Sequence, residues 1–172
     1  MERKNAWLSY TEADEKEMEA LAEAYKSFLD NGKTERECVD RTIEEARAKG
    51  YVSLEEKLAK GETVKAGDKV YTVDMNKIIA LFHIGEEDIT KGMNILGAHI
   101  DSPRIDIKQN PLYEEKEMAY CKTHYYGGIK KYQWTTIPLA LHGVVVRRDG
   151  TVVPVRIGEA PGDPQFTVGD LL

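Results

Sequence analysis

Between residues 11 and 50, apolar side chains recur every three or four positions. Met18, Leu21, Ala22, Tyr25, Phe28 and Leu29 form one stripe, and Val39, Ile43 and Ala46 form a second. At 3.6 residues per turn such positions share a face, so the spacing predicts two amphipathic helices. Each has a start signal. Thr11 with Asp14, and Thr34 with Glu37, have the spacing of a capping box, in which hydroxyl and carboxylate satisfy free backbone N–H groups. Asn31 and Gly32 suit a left-handed stop for the first helix, and Gly50 closes the second. Beyond about Ser53 the period changes. Gly61 and Gly67 punctuate a polar stretch, and segments 69–73 and 77–83 read as strands around a short turn at 74–76. Segment 94–98, with Ile95, Leu96 and Ala98, predicts a strand buried on both faces. Segments 105–107 and 118–123 are further strand candidates. Segments 139–147 and 151–157 flank Asp149 and Gly150, a pair that predicts a type I′ hairpin.

Composition narrows the class. The chain has 172 residues, 41% of them hydrophobic, with 24 Lys and Arg against 30 Asp and Glu, a net charge of −6. These values belong to a folded chain of one domain, or of one domain and part of another. The acidic balance gives no general attraction to nucleic acid or to an anionic membrane, so neither is expected as a partner. No apolar run approaches the roughly 20 residues of a membrane helix. The first residues lead into an acidic helix and not into a signal-type apolar core, so a cytoplasmic location is expected. Cys38 and Cys121 lie far apart, which argues against a disulfide framework or a cysteine zinc site; a buried, inert thiol is expected for Cys121. Segment 166–172 turns apolar and stops, and the strands outnumber the helices that could cover them. Both features predict a piece of a longer protein, poorly soluble alone.

The most informative chemistry lies in Gly97, Ala98, His99, Ile100 and Asp101, directly after the expected buried strand. Sites in open α/β sheets gather at the carboxyl ends of strands. His99 is a suitable ligand for Zn²⁺. A carboxylate two residues on, Asp101, can accept the proton on the other ring nitrogen and fix the tautomer. By spacing alone, the triplet is also, and more commonly, a local hydrogen-bonded pair at a strand end. His83 is expected as a half-exposed strand cap, and His124 and His142 as structural residues. The acidic runs 86–88 and 114–117 read as solvated loop faces. Ser102 lacks the surroundings of an activated serine. Lys130 and Lys131, among Tyr125, Tyr126, Tyr132 and Trp134, have the charge and rings to bind nucleic acid by stacking, but the overall negative charge favours an interface or core-lining aromatic cluster.

Taken together, segment 94–108 with its Gly-Ala-His-Ile-Asp-Ser-Pro run resembles the first metal-binding motif of the aspartyl aminopeptidase family of dinuclear zinc peptidases. Segments 122–134 and 137–144 resemble the next stretch of chain in a bacterial branch of that family, and the resemblance runs from about residue 5 to the end. It implies an α/β fold: residues 1–102 would be the first part of a zinc-exopeptidase (phosphorylase/hydrolase-like) domain, and 103–172 the truncated start of an inserted β-rich dimerisation domain. It implies an aminopeptidase that releases N-terminal, acidic residues from peptides, uses two Zn²⁺ ions per complete site and forms homo-oligomers, commonly dodecamers. His99 then matches a zinc ligand, and Asp101 the catalytic-site carboxylate that orients it.

The family's bridging aspartate, paired glutamates, later aspartate and final histidine have no matching position here. Its substrate-facing histidine is expected just after a segment like 170–172. One protein ligand does not hold a catalytic zinc, which ordinarily has three, so the isolated chain is expected to be inactive. Two other readings stand beside the enzyme fragment: a non-catalytic assembly or interaction protein derived from such an enzyme, and an unrelated α+β domain whose His99 and Asp101 are structural.

Overall fold

The computed structural model describes residues 5–168. The apolar ending of the chain is therefore described only to Val168, and the first four residues of the N-terminal reading also lie outside the described residues. The chain is a mixed α/β structure of two compact units, 1–100 and 101–172.

In the first unit, α1 (Glu12–Asn31) and α2 (Glu35–Ala48) both begin with the expected capping box, Thr11 with Asp14 and Thr34 with Glu37. The stop of α1 differs from expectation. Gly32 sits at φ −116°, outside the left-handed region. Glycine is used there for space: a Cβ would come within 2.8 Å of Cys38 Sγ and 3.1 Å of the Phe28 carbonyl oxygen. Gly50, at φ 85°, does adopt the left-handed conformation after α2.

Next come β1 (Val52–Ser53), α3 (Leu54–Ala59), β2 (Lys69–Asp74) and β3 (Ile78–His83). β1 pairs parallel with β2, and β2 pairs antiparallel with β3 from Lys69↔His83 to Asp74↔Ile78. The turn has positive φ at both Met75 and Asn76, as mirror-image hairpin turns require. α3 was not anticipated, although Ser53 and Glu56 have capping spacing; the Ser53 hydroxyl accepts from the Glu56 N–H at 3.2 Å.

α2 packs on α1 and on β3. Val39 and Val70 are fully buried, with Cys38, Ala46 and Tyr71 around them. Arg36 Nη1 donates to the Met75 carbonyl at 3.0 Å, and Asn76 Nδ2 donates to Asp40 Oδ1 at 3.2 Å, which ties α2 to the hairpin turn. Arg47 Nε donates to the Tyr71 hydroxyl at 2.9 Å.

Two expectations for this unit fail on burial. The α1 stripe is half-buried at Met18, Ala22 and Phe28, but Leu21, Tyr25 and Leu29 are exposed. Segment 94–98 forms no strand, and Leu96 is 101% exposed. Strand composition yields a strand only where a neighbour supplies backbone partners. The described residues supply none.

In the second unit, β4 (Arg104–Glu115) and β5 (Met118–Tyr126) form a hairpin much longer than the two short strands expected. Its register shifts between Ile107 and Leu112. Its turn residues, Lys116 and Glu117, both have positive φ; they lack the Asn-Gly signature, which is why 114–117 read as a plain loop. The short α4 (Lys131–Trp134) follows. β6 (Leu141–Val146) and β7 (Val152–Ile157) then pair antiparallel. The Asp149 and Gly150 turn is not type I′. Gly150 N–H donates to the Arg147 carbonyl at 3.0 Å, and Gly150 alone has positive φ, 86°. Asp149 acts instead as a cap, accepting from the Thr151 N–H at 2.9 Å.

Candidate functional site

Residues 92–103 have no regular structure, and His99 and Asp101 lie within them. The division between units falls between Ile100 and Asp101, so His99 is the next-to-last residue of the first unit and Asp101 the first of the second. His99 is exposed and Asp101 half-buried.

Asp101 is held from across the hairpin. Tyr126, the last residue of β5, pairs in register with Arg104, the first of β4. That pairing brings the Tyr126 ring beside the chain just before β4, and its hydroxyl donates to Asp101 Oδ2 at 3.0 Å. The ring is pinned in turn. The Arg104 guanidinium carbon lies 4.3 Å from its centroid, a cation–π distance. Arg104 Nε donates to Asp106 Oδ1 at 2.7 Å. Gly127, at φ 74°, turns the chain away against Pro103, whose Cα lies 3.6 Å from where a Cβ would sit. No sequence signal marked Tyr126 as a partner of Asp101. The two are 25 positions apart, and only strand register joins them.

The remaining candidates stay apart. His83 is exposed at the end of β3, beyond the half-exposed position expected of it. His124 stacks on Tyr125 at 5.3 Å between centroids, and His142 Nε2 lies 3.2 Å from Glu159 Oε1. Cys121 is exposed, not buried as expected. Lys131 Nζ lies 4.9 Å from the Tyr125 ring centroid. In the acidic runs, Asp88 caps Thr90 at 2.8 Å and Glu114 accepts from the Glu117 N–H at 3.0 Å. Among the described residues, no three His, Cys, Asp or Glu side chains converge as a metal site. An imidazole followed by a held carboxylate fits one corner of a zinc site in donor chemistry; it does not make up a site.

Comparison with known proteins gives the family. The sequence profile described as aminopeptidase I zinc metalloprotease (M18) matches residues 28–171. The chain belongs to the M18 family of zinc metalloproteases. A probable M18 family aminopeptidase 1 of Clostridium acetobutylicum is 56% identical over 171 residues, which are 99% of this chain and 37% of that protein. The crystal structure of aminopeptidase I from Borrelia burgdorferi B31 superposes with a TM-score of 0.87 at 38% identity, over 98% of this chain and 41% of that one. The structure from Thermotoga maritima superposes with a TM-score of 0.86 at 43% identity, over 100% of this chain and 36% of that one. The M18 chain thus spans little more than a third of the length of the curated relatives it matches. No helix among its described residues is long and apolar enough to cross a membrane.

Proposed function

We propose that this chain is the opening part of a dinuclear zinc aminopeptidase acting in the cytoplasm on peptides with acidic N-terminal residues. Residues 1–102 begin the peptidase domain, and residues 103–172 begin an inserted dimerisation domain of a homo-oligomer, a dodecamer built from dimers. The carrying observation is that the family match passes through His99 and Asp101. The exposed apolar run at Ile95 and Leu96 supports it as a strand whose neighbours lie outside the described residues.

In this reading His99 offers one ring nitrogen as a metal ligand. Asp101 accepts the N–H of the other, which fixes the tautomer and raises the imidazole's basicity. Bound zinc supplies Lewis acidity and an activated water. The other ligands and the glutamate general base are not in this chain, so the 172 residues alone do not hydrolyse peptides.

The test is to read the coding sequence past Leu172 and express the complete polypeptide. Hydrolysis of Asp- and Glu-anilides in preference to Leu-anilide is expected, abolished by a chelator and reduced at least 100-fold by His99→Ala. A stop codon directly after Leu172 in the intact locus would refute the reading. It would favour the non-catalytic assembly protein.

A further inference from the structure

We infer that Tyr126 is a positioning residue for the metal site and acts through Asp101. The inference rests on the proposed function and extends it to a residue of the second unit. A carboxylate that orients a histidine ligand does so only if its own rotamer is fixed, because a freely turning oxygen would let the imidazole rotate with it. In this chain the Asp101 rotamer has a visible restraint, the Tyr126 hydroxyl at 3.0 Å on Oδ2.

That hydroxyl is itself placed by rigid parts. Tyr126 ends a nine-residue strand paired with β4. Its ring is covered by the Arg104 guanidinium at 4.3 Å, and Asp106 fixes that guanidinium through a 2.7 Å ion pair. The backbone after it turns at Gly127 in a conformation open to glycine. Asp106, Arg104, Tyr126 and Asp101 therefore form one chain of contacts, running from the β4–β5 hairpin to the carboxylate beside the expected ligand. Within the second unit, the hairpin thus fixes the rotamer of Asp101. Neighbouring Tyr125 serves as a control, since it is engaged with Lys131 and His124.

The experiment uses the complete polypeptide, in four forms besides wild type: Tyr126→Phe, Asp101→Asn, the double variant and Tyr125→Phe. Tyr126→Phe removes one oxygen and keeps the ring under Arg104, so it leaves packing intact. Two readouts are taken, zinc release to a chromogenic chelator and the separation of kcat from KM. Loss of an outer partner of a metal ligand, here Asp101, typically costs 10–100-fold, and Tyr126 lies one contact further out, so the low end of that range applies to it. Tyr126→Phe is therefore expected to speed zinc release about tenfold and lower kcat about tenfold with KM unchanged. In the Asp101→Asn background its effect on zinc release should shrink to less than about twofold, because the hydroxyl reaches the site through that carboxylate. Tyr125→Phe should match wild type.

Wild-type zinc release by Tyr126→Phe, or additive effects in the double variant, would overturn the inference while leaving the peptidase reading in place. If His99→Ala released zinc no faster than wild type, the peptidase reading itself would fall and this inference with it.

Discussion

Removing the Glu37 carboxylate should destabilise the first unit by about 2–3 kcal/mol. Glu37 is buried, at 9% exposure, unusual for a charged side chain. Its Oε2 accepts from the Lys33 and Thr34 N–H groups, each at 3.1 Å, and from the Thr34 hydroxyl at 3.3 Å. Glu37→Ala leaves two helix-terminal donors without this acceptor. Each donor costs about 1 kcal/mol, and more where water enters poorly. Loss of a negative charge at a helix N-terminus adds about 0.3–1 kcal/mol. Lys33 is exposed and Thr34 half-buried, so water rescues part of the loss and the total stays below the sum of the upper limits. Thr34→Ala should cost about 1 kcal/mol. Both changes dismantle the same box, so the double variant should cost less than their sum. Urea unfolding followed by far-UV circular dichroism, at low micromolar chain concentration and pH 7, measures each value. A Glu37→Ala effect below about 0.5 kcal/mol, the range of ordinary surface substitutions, would refute the assignment of the carboxylate to this cap. So would strict additivity.

Gly32→Ala should cost about 1–3 kcal/mol by overpacking, because its Cβ would meet Cys38 Sγ at 2.8 Å. Adding Cys38→Ala should recover only part in thermal melts, since the Phe28 carbonyl oxygen remains at 3.1 Å. Asp163 accepts from the Gly158 and Ala160 N–H groups at 2.8 and 3.1 Å, and these bonds hold its carboxyl below the ordinary aspartate range. A depressed folded-state value means that the loop is stabilised above the unfolded aspartate value and loses that support as pH falls through the folded one. The Gly158 amide resonance should therefore move on acidification, and not in Asp163→Asn. Leu96→Asp should change the stability of the 172-residue chain by less than about 0.5 kcal/mol, as at other exposed sites, yet prevent the complete polypeptide from folding. Equal tolerance in both, read by solubility and melting, would contradict the view that segment 94–98 is a strand awaiting neighbours.

Features whose causes lie within a few residues were legible in the sequence. Thr11 with Asp14 and Thr34 with Glu37 mark helix starts because a cap forms between positions three apart. The alternating runs flanking 74–76 and 147–151 mark hairpins for the same local reason, although the second turn has a different geometry. His99 and Asp101 stood out in the sequence as a proposed ligand and its support, through their chemistry and the family motif they resemble. Tertiary structure alone decided which apolar residues are covered, since burial belongs to a segment together with its neighbours. Leu21 and Leu96 are apolar by type and exposed for want of a cover among the described residues. It alone joined Tyr126 to Asp101, because a hydrogen bond spanning 25 positions depends on the register of β4 against β5, and that register comes from pairing along the whole hairpin and not from either residue's surroundings in sequence.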